Sequence, residues 1–304
     1  MSRTGKNVVF LLGAGRSGTT LLYKLLSIHR SVSYLNNYQN RYPQFNFTAF
    51  LQRILNQFPE YKRTTWFKKH GGAYFDQRRK WLQSIVPTPS EAESVYVRCG
   101  IPTFRTDDFL VQPHVAQCLI NKFESVRRIS GGEVLLSKRT ANNRRIPILK
   151  QIFPDAKYIH LVRDGRSVAY SLLRVAWWND HILYWTGKTP RQMVAEGSNS
   201  LVLAAQNWVE EMHSLEKGMD LLEDHQLLQV RYDDLLKNPQ QQLQRMLDFM
   251  EISLPHEAKF WEIVNSLKLA PREDAWTWNW SDAELKMVMD VQRDTLQRWG
   301  FEIT

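Results

Sequence analysis

The sequence predicts an α/β fold: a central parallel sheet flanked by helices on both faces, with a cap of helices and loops over the substrate site. Three observations carry this expectation. Short apolar runs alternate along the chain with stretches of helical periodicity. The first run, from Val8 to Leu12, leads directly into a glycine-rich loop and then a helical pattern. A hydrophobic content of 43% over 304 residues suffices for one large core.

The stretch from Val8 to Leu12 reads as a strand buried on both faces. Gly13-Ala14-Gly15-Arg16-Ser17-Gly18 forms a loop, and Leu21, Leu22, Leu25 and Leu26 then recur at helical spacing. Residues 35–130 are rich in aromatics and arginine, with turns at Gly71-Gly72 and Pro87-Thr88-Pro89. They read as helices and long loops over the core. Residues 175–200 read as a second such insertion, all within a single domain 1–304.

A second α/β run begins near residue 133. Val134-Leu135-Leu136 is a strand, and Ile146, Leu149 and Phe153 share a helical face. Pro154-Asp155 turns into a strand from Tyr158 to Val162, and Asp164-Gly165-Arg166 turns that strand into a helix. A long helix over 198–224 and a strand over 227–232 follow. Asn238 is placed to cap a helix with Pro239 at its first position and Leu243, Met246, Leu247 and Met250 on its apolar face. The last helix opens with a capping box, Ser281 and Glu284, and ends at Gly300.

Composition removes several function classes. Two cysteines, Cys99 and Cys118, allow at most one bridge, which excludes a disulfide scaffold and points to a reducing cytoplasm. No apolar run approaches the roughly 18 residues of a spanning helix. The net charge of +9 suits an anionic partner. However, Arg78-Arg79-Lys80, Arg127-Arg128 and Arg144-Arg145 are short groups that read as solvated helix faces, not a nucleic-acid patch. The eight histidines form no metal-ligand spacing, so no metal is expected.

Gly13-x-x-x-x-Gly18-Thr19-Thr20, between a strand and a helix, is a P-loop-like phosphate cradle. Glycines allow close backbone approach, and the helix start offers free N–H groups. Ser17, Thr19 and Thr20 add hydroxyls. The nucleoside-triphosphate loop carries Lys after its second glycine; here Thr19 takes that place and the charge sits at Arg16. The loop suits a shorter anion such as a phosphosulfate. A second anion site is readable at Arg163, at a strand end, with Ser171 about two turns into the following helix. Together the two sites fit a nucleotide with phosphates at its 5′ and 3′ positions.

Gly15-Arg16-Ser17-Gly18-Thr19-Thr20-Leu21-Leu22 resembles the 5′-phosphosulfate loop of sulfotransferases that use 3′-phosphoadenosine-5′-phosphosulfate (PAPS). Leu161-Val162-Arg163-Asp164-Gly165-Arg166-Ser167, continuing to Ser171, resembles their 3′-phosphate site; the tyrosylprotein and bacterial branch is the nearest in motifs. The resemblance covers roughly a third of the chain. It implies that Gly15, Arg16, Ser17, Gly18, Thr19 and Thr20 hold the 5′-phosphosulfate and that Arg163 and Ser171 hold the 3′-phosphate. It also implies that Tyr232 packs near the adenine, that Lys138 lies near the transferring sulfuryl group, and that Arg16 and Lys138 are the catalytic cations.

Two family features are missing. Asn36-Asn37 stands where the tyrosylprotein branch has an acidic base, and Arg139-Thr140-Ala141-Asn142 lacks the histidine of the cytosolic branch. Arg272 is a loose substitute for a C-terminal basic loop. The base is open among His114, Asp107, Asp108 and His181. An acceptor pocket is suggested by Trp177-Trp178, Tyr184-Trp185, Trp276, Trp278 and Trp280, which suits an apolar, aromatic, carbohydrate or peptide acceptor with a hydroxyl or amine. The competing readings are a P-loop small-molecule kinase and a nucleotide binder without catalysis.

Overall fold

Among the described residues five parallel strands form one sheet in the order β2-β3-β1-β4-β5. They are β1 (Val8–Leu12), β2 (Val32–Tyr34), β3 (Val134–Lys138), β4 (Lys157–Val162) and β5 (Leu227–Arg231). The computed structural model describes residues 5–67, 85–104, 106, 108–254, 256–269 and 276–303. The expected turn at Gly71-Gly72, the Arg78-Arg79-Lys80 group, Asp107 and Arg272 lie outside these residues.

The helices that matter below are α1 (Thr19–Leu26), α2 (Asn37–Arg41), α3 (Phe50–Leu55), α4 (Pro59–Trp66), α5 (Glu93–Arg98), α6 (Pro113–Ser130), α7 (Asn142–Ile152), α8 (Gly165–Leu173), α9 (Ser200–Met219), α10 (Tyr232–Lys237), α11 (Pro239–Phe249) and α12 (Asp282–Arg298).

Residue alternation on β1 shows why the sheet is covered twice. Val8, Phe10 and Leu12 join one apolar cluster with α6, α7 and α9 side chains. Val9 and Leu11 join another with Leu21, Leu22 and Leu25 of α1 and Leu243 of α11. Every residue of β1 is buried, as a strand sandwiched between helix layers requires. β1 pairs with β3 on one side and β4 on the other. The chain therefore leaves β1 at a switch point, where parallel sheets open a crevice at their carboxyl ends.

The structure departs from the sequence expectations at several places. β2 was not expected; three residues are too few to show alternation, and Val32 and Tyr34 are strand only because they pair with Val134 and Leu136 of β3. Its free edge is covered by Gln52 of α3, which accepts from Tyr34 N at 3.2 Å and donates to Tyr34 O at 2.6 Å. β5 stops at Arg231, and Tyr232 opens α10. α9 ends at Met219, short of 224. Asn238 precedes α11, with Pro239 first, but its side chain makes no capping hydrogen bond. The Ser281–Glu284 capping box is formed, and Gly300 follows α12 with φ 67°.

The Arg144-Arg145 pair is not a solvated face. Arg145 is fully buried on Glu93, and Arg144 reaches Glu211 at 3.2 Å. Cys99 and Cys118 are bonded to each other, tying the end of α5 to α6. A disulfide runs against the expectation of a reducing compartment. Among the described residues no helix is long and apolar enough to cross a membrane.

Candidate active site

Three loops meet at the carboxyl ends of β1, β3 and β4. The first, after β1, is held open by its backbone. Gly18 adopts φ 94°, and a Cβ there would fall 2.3 Å from the Tyr232 ring, so glycine is required on both counts. Arg16 adopts φ 70°, a left-handed conformation that a non-glycine residue takes only when its surroundings impose it. They do so here: Arg163 Nη1 donates to Arg16 O at 3.2 Å.

The Asn143 amide grips the start of the loop. It accepts from Gly13 N at 3.1 Å and donates to Gly13 O at 3.1 Å. The same Nδ2 donates to Glu211 Oε2 at 2.7 Å. Burial raises the Glu211 pKa, against the lowering pull of Arg144 and Asn143. Nothing in the sequence marks Asn143 or Glu211, because their partners lie 130 and 68 residues away.

The structure brings the two anticipated anion sites into contact. Arg16 Nε donates to Ser171 Oγ at 3.0 Å, and the Arg163 guanidinium lies 4.5 Å over the Tyr232 ring. Arg166 of the same run is structural: it pairs with Asp164 at 2.7 Å, while Asp164 caps α8 by accepting from Arg166 N. Ser17 is buried and its hydroxyl donates to Ala14 O at 2.7 Å, into the loop itself. Tyr232 is buried between Gly18 and Arg163.

Beside this junction lies a cavity of about 540 Å³. Gly15, Arg16, Gly18, Thr19, Thr20 and Lys138 line one side. A Cβ at Gly15 would meet nothing within 4 Å, so the loop leaves room at the surface that a phosphosulfate would occupy. The residues present therefore fit the group that the loop sequence implies: N–H groups at the α1 start, a guanidinium and an ammonium around open space.

Lys138 reaches both Thr20 Oγ1, at 3.5 Å, and Glu91. Glu91 also pairs with Arg139 at 2.5 Å. Burial pushes the Glu91 carboxyl up, but Lys138 and Arg139 outweigh it and hold the group at about 2. Glu93 is likewise lowered, its burial outweighed by Arg145 and Arg139. Sequence reading missed this set because Glu91 and Lys138, 47 residues apart, belong to no shared motif.

Of the four base candidates, His181 lines the cavity. Burial, then Arg139 and Arg144, lower its pKa, so the imidazole is neutral at pH 7. His114 and Asp108 are exposed and do not line it. Asn36 is a helix cap, accepting from Tyr38 N at 2.9 Å. The aromatic expectation divides. Trp177, Trp178 and Tyr184 border the cavity, Tyr184 with Arg144 at 4.0 Å over its ring. Trp185 and Trp280 pack against the core, Trp276 is buried, and Trp278 is exposed elsewhere.

Residues 8–256 match the sulfotransferase family over most of the chain. The chain belongs to that family. It is 23% identical over 262 residues to the omega-hydroxy-beta-dihydromenaquinone-9 sulfotransferase Stf3 of Mycobacterium bovis, covering 78% of this chain and 61% of that protein. The Mycobacterium tuberculosis protein of the same name matches over the same shares. The chain thus spans about three fifths of the length of these curated relatives.

Two solved sulfotransferases share the fold. The sulfotransferase domain of the curacin biosynthetic pathway superposes with a TM-score of 0.53 at 19% identity, each chain covered in full. Sulfotransferase STF9 of Mycobacterium avium gives 0.57 at 15% identity, covering 98% of this chain and 78% of that one.

Proposed function

We propose that this sulfotransferase-family chain moves a sulfuryl group from PAPS to a hydroxyl or amine of an apolar small-molecule acceptor, releasing 3′,5′-adenosine bisphosphate. The observation that carries the reading is the join of the two anion loops through Arg16, Ser171 and Arg163, beside a cavity bordered by Lys138. In the proposed reading the α1 start, Arg16, Thr19 and Thr20 bind the 5′ end, and Arg163 and Ser171 the 3′-phosphate. PAPS supplies the activated sulfuryl group. Catalysis by the protein is then positioning and charge stabilisation at the leaving oxygen by Arg16 and Lys138.

Glu91 is proposed as the base, because it touches Lys138, which this reading sets beside the transferring group. Lys138 is the strongest of the influences that lower the Glu91 pKa. When the lysine turns to sulfuryl oxygens, Arg139 alone still holds the carboxylate down, and Glu91 regains part of its proton affinity to take the acceptor proton. His181 is the second reading, favoured by its neutral imidazole on the same cavity wall.

Phe104, Trp177 and Ile182 line the acceptor side, within the insertions over 35–130 and 175–200. They suit a lipophilic acceptor, in keeping with the menaquinone in the names of the mycobacterial relatives. Asn40, Arg144, Asn207 and Glu211 line the same cavity, so a carbohydrate or peptide acceptor is the alternative reading. We also infer a cytoplasmic location from the scarcity of cysteine. The Cys99–Cys118 bond argues the other way, and thiol labelling of protein taken directly from cells decides between them.

Thermal denaturation tests the nucleotide reading. Bisphosphate at a hundred times its Kd adds about 2.7 kcal/mol of stability, ATP adds little, and Arg163→Ala loses the shift. Equal shifts with both nucleotides would favour the kinase reading.

A further inference from the structure

Eight of the 18 exposed large hydrophobic side chains among the described residues fall between residues 42 and 61. Phe47 is 67% exposed, Phe58 60%, Phe50 52%, and Ile54 and Tyr61 nearly half; Ile85, at 59%, joins them. Such a concentration on one face marks an interaction surface, where scattered exposed side chains would not. Between α3, α4 and residues 85–87 it is indented by a groove of about 940 Å³, walled by Leu51, Ile54, Phe58, Tyr61, Ile85 and Pro87.

The face is continuous with the candidate active site through two pieces of chain. On α2, Tyr38 lines the groove and Asn40 lines the reaction cavity. In the segment after it, Ile85, Val86 and Pro87 line the groove, and Ser90 and Glu91 line the cavity. Charge selects the occupant. Residues 37–66 carry Arg41, Arg53 and Arg63 against Glu60 alone, Lys62 being buried on the Ser27 and Ile28 carbonyls. Glu60 is engaged by Arg63 and Lys259, and Arg41 and Arg53 are exposed. A second copy meeting this face across a two-fold axis would set one basic patch against an identical one.

We propose that this face docks on an anionic lipid surface, with Phe47, Phe50 and Phe58 at the acyl boundary and Arg41 and Arg53 among the headgroups. It deepens the transfer reading by stating where an apolar acceptor is collected, and rests on that reading for the acceptor only.

Flotation of the full chain with vesicles of phosphatidylcholine alone, or mixed with phosphatidylglycerol, tests it. Binding is expected to the mixed vesicles and to be weaker on the neutral ones. Phe47→Ser and Phe58→Ser each weaken it on the order of tenfold. Leu110→Ser and Trp278→Ser, at still more exposed positions elsewhere, leave it unchanged.

No flotation by a protein that still shows the bisphosphate thermal shift overturns the docking face. So does an equal loss in the Leu110 and Trp278 variants. A lipid-free dimer that Phe47→Ser dissociates overturns it too, and assigns the face to a second copy. Flotation with no bisphosphate shift leaves the face standing and removes the transfer reading instead.

Discussion

Arg16 Nε and Ser171 Oγ are 155 residues apart in the chain and 3.0 Å apart in space. This contact joins two loops that the sequence presents separately, and in the proposed reading they form one nucleotide-binding surface. Arg163 completes it from the β4 end by holding the Arg16 carbonyl. A planar guanidinium has donors left to face an anion after serving Ser171, whereas an ammonium has no fork with which to bridge.

Ser171→Ala is expected to weaken bisphosphate binding by about tenfold, the worth of one hydrogen bond to a charged group. Arg16→Lys keeps the charge and is expected to lose at least as much. Isothermal titration with the bisphosphate reads both, and unchanged affinity in both would separate this contact from the nucleotide.

Asn143 satisfies Gly13 N and Gly13 O at once, deep in the protein. Asn143→Ala leaves both backbone groups without a partner, at a cost of roughly 1–3 kcal/mol. Asn143→Asp turns the donor into a second carboxylate beside Glu211 and is expected to cost more. Urea unfolding measures both losses. Bisphosphate affinity should fall with them, since the loop is anchored there.

The pH dependence of kcat/KM separates the two base readings. Either base must be unprotonated, so rate is lost as pH falls through its pKa. Glu91 is held at about 2 in the free protein, so with Glu91 as base kcat/KM stays level from about pH 8 to about pH 5. With His181 it declines below the ordinary histidine value, at its lowered pKa. Glu91→Gln is expected to reduce kcat by about 10²–10⁴ while sparing bisphosphate affinity. If His181→Gln does this and Glu91→Gln does not, the roles are exchanged.

Acid sensitivity should trace in part to His160. It is wholly buried on β4, and burial lowers its pKa to about 3. The unfolded chain takes up this proton first as pH falls below the ordinary value of about 6.5. The stability is therefore complete above about 6.5 and is lost progressively toward about 3, by up to about 1.4 kcal/mol per pH unit. His160→Phe, packed against Trp299, should flatten that slope in urea midpoints measured from pH 7 to 5.

The elements that sequence made legible are those with local causes. The Val8-to-Leu12 run, the Gly13–Gly18 spacing and the Ser281–Glu284 box each contain their own reasons, and each forms as expected. What stayed hidden depends on distant partners. β2 exists through β3, and Glu91 acquires its charge environment from Lys138 and Arg139. Arg145 reads as a surface residue in the sequence, because Glu93, the partner that lets it be buried, lies 52 residues away. The tryptophans misled for the opposite reason: aromatic content marks a wall and a core alike, and Trp276 belongs to the core.

The long reach between Gly13 and Asn143, and between Arg16 and Ser171, also bears on how the protein comes together. Contacts across 130 and 155 residues carry a loop-closure cost like that of the β1–β3 and β1–β4 pairings that position them, and are expected to close with or after those pairings. In the proposed reading a nucleotide held by these loops has nothing to bind in a half-folded chain. Its presence should slow unfolding while leaving the folding rate unaltered, so the ligand acts as a latch on the finished protein and not as a template for building it.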